Sequence, residues 1–410
     1  MNQELPQLSL TTAHLPIRWQ PTAALAATNA AITLGWIIYR VHLVGLLTQA
    51  GFSPALAPTL LLIESILAIV VEPWAGSTSD HTSQRRGGRF YIILLGAALT
   101  ALLFVLLPGL SQLVRPQSAL KWWFPGVLII WAIAISLFRS PALALLGSYA
   151  TPKQLPLAAS LITLAGAVAS SATPLASPWL LSLGIVLSFI AAAVLLLLTV
   201  GWLKLAQPKQ TDQTPDQTAV APIVALFPTA PLRASWLVRI FGFGFAVTLA
   251  FKLAVELFPK VLKAAALKPP LFMGILFLGL AVGALVAGQL ASRWGNARVV
   301  VLGLGAAAVC LISMTLVHTT ATAALMAILL GFCFSLILNG VLPFALGFIP
   351  LQQMGLSVGL FFGGAAAANS LYSGVLSQSL SLPLGITLGI ASLLVAGICL
   401  LERPALIEQN

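Results

Sequence analysis

Long apolar runs broken by short polar stretches follow one another almost from end to end of this chain. A helix needs about 20 predominantly apolar residues to cross the hydrocarbon core of a bilayer. The pattern predicts such helices over residues 23–48, 54–76, 89–108, 122–148, 156–177 and 180–203. It predicts six more over 235–258, 270–292, 298–317, 321–345, 354–378 and 381–401. Between the two sets lies the stretch from Gln207 to Thr218, too rich in Pro, Gln and Thr to build a core, which reads as a linker. The expected organisation is an N-terminal segment 1–22, a six-helix bundle 23–204, a linker 205–234, a second bundle 235–402 and a tail 403–410. This is an all-α polytopic fold of two pseudo-repeated six-helix bundles embedded in lipid.

Composition removes the soluble alternatives. The 410 residues are 59% hydrophobic and 7% charged, with a mean hydropathy of +1.03, against roughly 25% charged residues in a soluble domain. The formal charge of +11 would suggest nucleic acid in a soluble protein, but most of the cations sit in short loops between apolar runs, where they report topology. Placing the N-terminus inside assigns Arg18, Arg85, Arg86, Arg89, Lys153, Lys204, Lys209, Arg233, Arg293, Arg298 and Arg403 to the cytoplasm. The opposite side receives Arg115, Lys121, Lys260, Lys263 and Lys268. That bias favours both termini in the cytoplasm, although the Lys group after the seventh run opposes it. The polar stretch up to Gln20 has no signal-peptide pattern, so the first span is expected to direct insertion. Cys310, Cys333 and Cys399 fall inside apolar runs without metal-ligand spacing and read as buried and structural.

One junction is chemically distinctive. The second run ends Val71-Glu72-Pro73-Trp74-Ala75-Gly76-Ser77-Thr78-Ser79-Asp80, and Arg85, Arg86, Gly87 and Arg89 follow before the third run. Small residues there let helices approach closely, and a carboxylate beside several cations can pair in one conformation and release in another. The corresponding place in the second half repeats the plan with Gly288, Arg293, Gly295 and Arg298. Gly76-x-x-Ser79-Asp80 with Arg85-x-Gly87-x-Arg89 resembles the signature loop of the major facilitator superfamily. The likeness extends to Gly35-Trp36, Val71-Glu72-Pro73-x-x-Gly76, Leu342-Pro343-Phe344-Ala345-Leu346 and Gly355-Leu356-Ser357-x-Gly359. Together these resemble the glycoside-pentoside-hexuronide cation symporter and sucrose transporter branch. His81 and Gly88 depart from that branch's more basic loop, and Leu143 and Ser148 stand where its sugar carriers tend to have an Arg and an acid. Those departures argue against sucrose-like recognition. The related bacteriochlorophyll-delivery family resembles the chain in the same loops and is associated with assembly of light-harvesting complexes.

Ionisable side chains inside a bilayer cost about 2.5 to 3.5 kcal/mol each on insertion scales and need a reason to be there. Arg40 and His42 fall within the first run, Glu64 in the second, Arg139 in the fourth, and Lys252 and Glu256 in the seventh. In the facilitator fold that the resemblance implies, helices one, four, seven and ten line a central cavity, which would place Arg40, Arg139, Lys252 and Asn339 to face it. Three cations there point to a polar or anionic solute. Internal pairing is the competing account: Glu64 or Glu72 with Arg40 or Arg139, and Lys252 with Glu256 four residues on. Glu64 is the first choice for a proton-linked carboxylate, since burial favours its neutral form and a nearby Arg its charged form.

The residues show no nucleotide, metalloprotease or nucleophile-elbow motif, and no cofactor or metal is implied. The expectation is a non-enzymatic secondary transporter of a polar or anionic organic solute, even sugar-like, coupled to protons or another cation. Its surroundings would be a cell inner membrane or an internal photosynthetic one. The alternative is a non-transporting or pigment-handling membrane factor that assists assembly of light-harvesting complexes, with chlorophyll or photosynthetic membrane proteins as partners.

Overall fold

A computed structural model describes residues 17–86, 88–114, 119–207, 234–347 and 349–401, with nothing described of the side chains at 83–86, 119, 120 and 351. The first six long helices are α1 (Trp19–Gln49), α2 (Leu56–Arg86), α3 (Arg89–Leu113), α4 (Trp123–Ala144), α5 (Leu155–Ser182) and α6 (Gly184–Leu205). The second six are α7 (Ala234–Ala264), α8 (Pro269–Trp294), α9 (Asn296–Ser313), α10 (Thr320–Asn339), α11 (Met354–Leu371) and α12 (Leu382–Leu401). All twelve are long and apolar enough to cross a membrane. With an even number of spans among the described residues, both described ends of the chain lie on one face, called here the termini face.

Hydropathy misses the ends of helices that leave the bilayer. The expected second span stops at residue 76, yet α2 continues as helix to Arg86, so the signature junction is the last turns of α2 rather than a loop. Backbone hydrogen bonds carry a helix into water, where side-chain polarity no longer opposes it. Gly88 makes the turn and α3 starts at Arg89. At the other glycine-bearing junction, α8 and α9 are separated by Gly295 alone, at φ +89°, a backbone region that a side chain would strain. α10 breaks at Gly340 and resumes as a short helix, Val341–Gly347, with Pro343 in its first turn, where its missing N–H breaks no helical bond. α11 passes through one π-turn, Tyr372–Leu376, before ending.

Each half has its own apolar core. α1 packs on α2, α3, α4, α5 and α6, and α7 on α8, α10, α11 and α12. Neither central helix is covered by the other half, so the face each leaves uncovered looks across the space between the halves. The halves join along two seams, α2 against α11 and α5 against α8. At the termini face a further contact, α4 with α11, closes the gap, and Val341–Gly347 lies against α5. The core of the first half there takes in Leu342, Leu346, Met354 and Val358 from the second. Cys310 and Cys333 are buried between α9 and α10 with their sulfurs 3.9 Å apart. Trp122, Trp123 and Trp202 are exposed at helix ends, as interfacial anchors are.

Candidate functional site

The acids inside the spans, with the groups around them, fall into three layers. Four of the chain's nine acids lie within spans: Glu64, Glu72 and Asp80, eight residues apart on α2, and Glu256 on α7. At about 1.5 Å per residue the three on α2 are about 12 Å apart along the membrane normal.

The first layer is the one furthest from the termini face. Tyr39 and Glu64 are both buried, and the Tyr39 hydroxyl donates to Glu64 Oε1. Arg40, next to Tyr39, is accessible on the uncovered face of α1, with its guanidinium 5.5 Å from the Trp36 ring centre. Glu64 and Arg139 lie within its electrostatic range, but no carboxylate oxygen comes within 4 Å of it among the described residues. Across the gap Lys252 pairs with Glu256 at 2.7 Å, one turn on along α7. The Lys252 ammonium also stands 5.0 Å from the Tyr372 ring centre, with Glu256 close to the Tyr372 hydroxyl. Tyr372 opens the π-turn of α11, an irregularity that recurs at functional positions. A shallow cleft between α2 and α4, lined by Val71, Ile129, Ile133 and Ser136, reaches Glu64.

The middle layer is a sealed ion pair. Glu72 is fully buried and binds Arg139 at 2.5 Å from α4. The Ser140 hydroxyl donates to its second oxygen, and Ser136 stands close by, one turn earlier on α4. The Arg139 guanidinium lies 4.2 Å from the ring centre of Phe362 on α11, so this cation spans the two halves. Such a pair is held by geometry: the carboxylate's acceptors are used, and the flat guanidinium offers its face to the ring.

The third layer closes the termini face. Asp80 pairs with Arg89 at 2.5 Å and accepts the backbone N–H groups of Gly355, at 3.0 Å, and Leu356, at 2.8 Å. Those amides are among the unsatisfied donors at the N-terminus of α11, where the helix dipole favours an anion. The approach requires small residues, because a Cβ on Gly76 would overlap the Gly355 carbonyl and a Cβ on Gly355 would lie 2.7 Å from Asp80 Oδ1. Beside the clamp, Gln207 donates to the Tyr149 hydroxyl and the Arg18 N–H to the Tyr149 carbonyl. Burial pushes the Tyr149 hydroxyl pKa up, keeping it a neutral partner.

The repeated junction is built differently. Gly288 packs against Ser160 and the Pro156 carbonyl on α5, and the position matching Asp80 is Ser292, whose hydroxyl turns back to Gln289. Asn296 donates to the Gly340 carbonyl at 2.9 Å. Arg293 and Arg298 border this junction near the termini face. Asn339 does not face the central space: it is buried and donates to the Pro156 carbonyl at 3.1 Å, stitching α10 to α5. Gly87 lies outside the described residues, as do the side chains of Arg85 and Arg86.

The structure thus brings Arg40 and Glu64 together, assigns Arg139 to Glu72, and pairs Lys252 with Glu256. Sequence reasoning missed Tyr39, Phe362 and Tyr372. Tyr39 could have been found as a hydroxyl next to an intramembrane Arg, whereas nothing in the local pattern singles out the other two.

Among curated proteins, none matches this sequence significantly. A crystal structure of the human organic anion transporter MFSD10 (TETRAN) superposes with a TM-score of 0.69 at 13% identity, covering 94% of this chain and 100% of that one, a likeness of fold. The family model of the Major Facilitator Superfamily matches residues 23–373, nearly the whole span of the two bundles. The chain belongs to the Major Facilitator Superfamily of membrane transporters.

Proposed function

We propose that this protein is a secondary active transporter that moves an organic anion by alternating access, coupled to protons or another cation. The observation that carries the reading is Arg40, a guanidinium deep within a span and open to the space between the halves, with no ion partner among the described residues. A cation kept unpaired inside a membrane is costly unless a ligand completes it. The fold neighbour described as an organic anion transporter fits this reading.

The layers supply the moving parts. With both termini cytoplasmic, the joined face is the inner one, and the solute enters from outside to Arg40. Rocking would break the Asp80 contacts with Gly355 and Leu356, which cross the halves. Arg89, on the same half as Asp80, would keep that carboxylate compensated in both states. Glu64, bonded to Tyr39 and close to Arg40, is the coupling carboxylate: an anionic solute on Arg40 alters the field at Glu64, so the two sites communicate.

The test is uptake into proteoliposomes of a panel of radiolabelled organic anions under an imposed proton or sodium gradient. Gradient-driven accumulation of an anion, lost in Arg40→Gln, is expected. Transport of neutral solutes alone would overturn the anion reading, and no transport together with co-purifying chlorophyll or antenna protein would replace it with the pigment-handling one.

A further inference from the structure

Resting on the anion-transport reading above, we infer that the solute is an amphiphilic anion: a flat aromatic body carrying one anionic group, rather than a sugar or sugar acid. Two features of the helices on either side of the space between the halves carry the inference.

The first is what stands beside the cations. Arg40, Arg139 and Lys252 each lie against an aromatic ring, those of Trp36, Phe362 and Tyr372, at 5.5, 4.2 and 5.0 Å. Trp36 and Phe362 are only half-buried, so part of each ring remains available. Arg40 alone among the three has no carboxylate bound to it, so the open position is a guanidinium with an indole wall. An anionic group would take the guanidinium, and a π-system in the same molecule would lie along the indole.

The second feature is the shortage of free hydrogen-bonding groups. Thr33 donates to the Asn29 carbonyl, Asn29 to the Ile162 carbonyl, Ser65 to the Leu61 carbonyl, and Ser370 to the Ala366 carbonyl. A polyol brings a hydroxyl on nearly every carbon, and each one buried without a partner is penalised. Where many of the donors are already engaged, such a solute leaves more of its hydroxyls unpartnered. An apolar aromatic body asks for none of them.

Purified full-length protein decides the matter by thermal shift with five probes: 2-naphthalenesulfonate, its neutral sulfonamide, gluconate, sucrose and 2-naphthylmethylammonium. The sulfonate should raise the unfolding midpoint of the wild type at a concentration roughly tenfold lower than gluconate needs. Arg40→Gln should weaken the sulfonate roughly tenfold or more, and Trp36→Leu, which keeps the charge, should weaken it by a smaller factor. Gluconate binding as tightly as the sulfonate, through Arg40, would overturn the aromatic class while leaving anion transport standing. Stabilisation by sucrose alone would overturn both. Equal binding of the sulfonamide or the ammonium probe, or sulfonate binding unchanged in both variants, would show partition into apolar surface and overturn the inference, as would no response to any probe.

Discussion

A single methyl group at Gly359 should drive the halves apart at the termini face without touching any charge. Gly359 on α11 faces α2 so closely that a Cβ there would lie 2.8 Å from the Glu72 carbonyl carbon and from Pro73 Cα, and closer still to the Glu72 carbonyl oxygen. All three are backbone atoms and cannot swing aside. Ordinary contact between such atoms is about 3.5 to 4.0 Å, so Gly359→Ala demands about 1 Å of separation along the α2–α11 seam. Overpacking of this kind costs about 1 to 3 kcal/mol. The gain of up to about 1 kcal/mol from Ala over Gly within a helix applies whether the halves are closed or open, and cancels from the equilibrium between them. The expected shift is therefore roughly 5- to 150-fold toward the state open at the termini face. Spin labels at Lys153→Cys and Trp294→Cys, exposed positions on that face and on opposite halves, would report it in a cysteine-free background. The long-distance population should rise in Gly359→Ala and stay put in Gly201→Ala, where no neighbour lies within 4 Å of the added methyl. An unchanged distance distribution in Gly359→Ala would refute the claim that the backbone approach of α2 and α11 holds the face closed.

Asp80→Asn should shift the same spin-label distribution in the same direction. It weakens two charge-assisted bonds to the Gly355 and Leu356 amides, at about 1 kcal/mol or more each, and loss of closure without loss of expression is the expected outcome. Arg139→Gln leaves Glu72 buried and uncompensated, which should destabilise the protein by about 3 to 5 kcal/mol in thermal unfolding. The double variant Glu72→Gln, Arg139→Gln should recover part of that loss, and a double variant as unstable as the single one would show that the pair is not the cause. In proteoliposomes, Glu64→Gln should abolish accumulation driven by a pH gradient while sparing solute exchange. Unchanged gradient-driven accumulation would remove Glu64 from the coupling.

The helices were legible because lipid imposes a rule that sequence obeys one residue at a time: a span must be apolar over about 20 residues. The i,i+4 partnership of Lys252 and Glu256 was legible for a related reason, since one helix determines it. What lay between helices was not. Whether Arg139 takes Glu64 or Glu72 depends on the rotational phase and depth of α2 against α4, and the sequence left both open. Glu72 wins because Ser140, next to Arg139 on α4, donates to the carboxylate's other oxygen. Asn339 illustrates the converse error. It sits on a helix that the family resemblance assigns to the cavity, but its phase turns it to the backbone of α5. The extension of α2 to Arg86 escaped hydropathy because those turns lie beyond the apolar run.

The two repeated junctions show how one plan was divided between roles. Both use a glycine to bring a helix of one half against the other, Gly76 at α11 and Gly288 at α5. Only the first carries a carboxylate at the following contact, because Ser292 stands where Asp80 would be. The α2–α11 seam is thus held by a charge on a helix terminus, an interaction that weakens steeply once the helix moves away. The α5–α8 seam is held by packing, with the neutral bond from Asn339 beside it. If opening begins where the attraction falls off fastest with distance, α11 leads and the α5–α8 seam acts as the hinge. The order follows from the chemistry of the contacts and can be reversed by design. Placing the carboxylate on the other seam, as Ser292→Asp with Asp80→Asn, should return little of the closure lost in Asp80→Asn, because α5 presents the Pro156 carbonyl and the Ser160 side chain to Gly288 rather than a row of free amides. Full restoration of the closed spin-label distance in that double variant would show that net charge at the face, and not the helix terminus, does the holding.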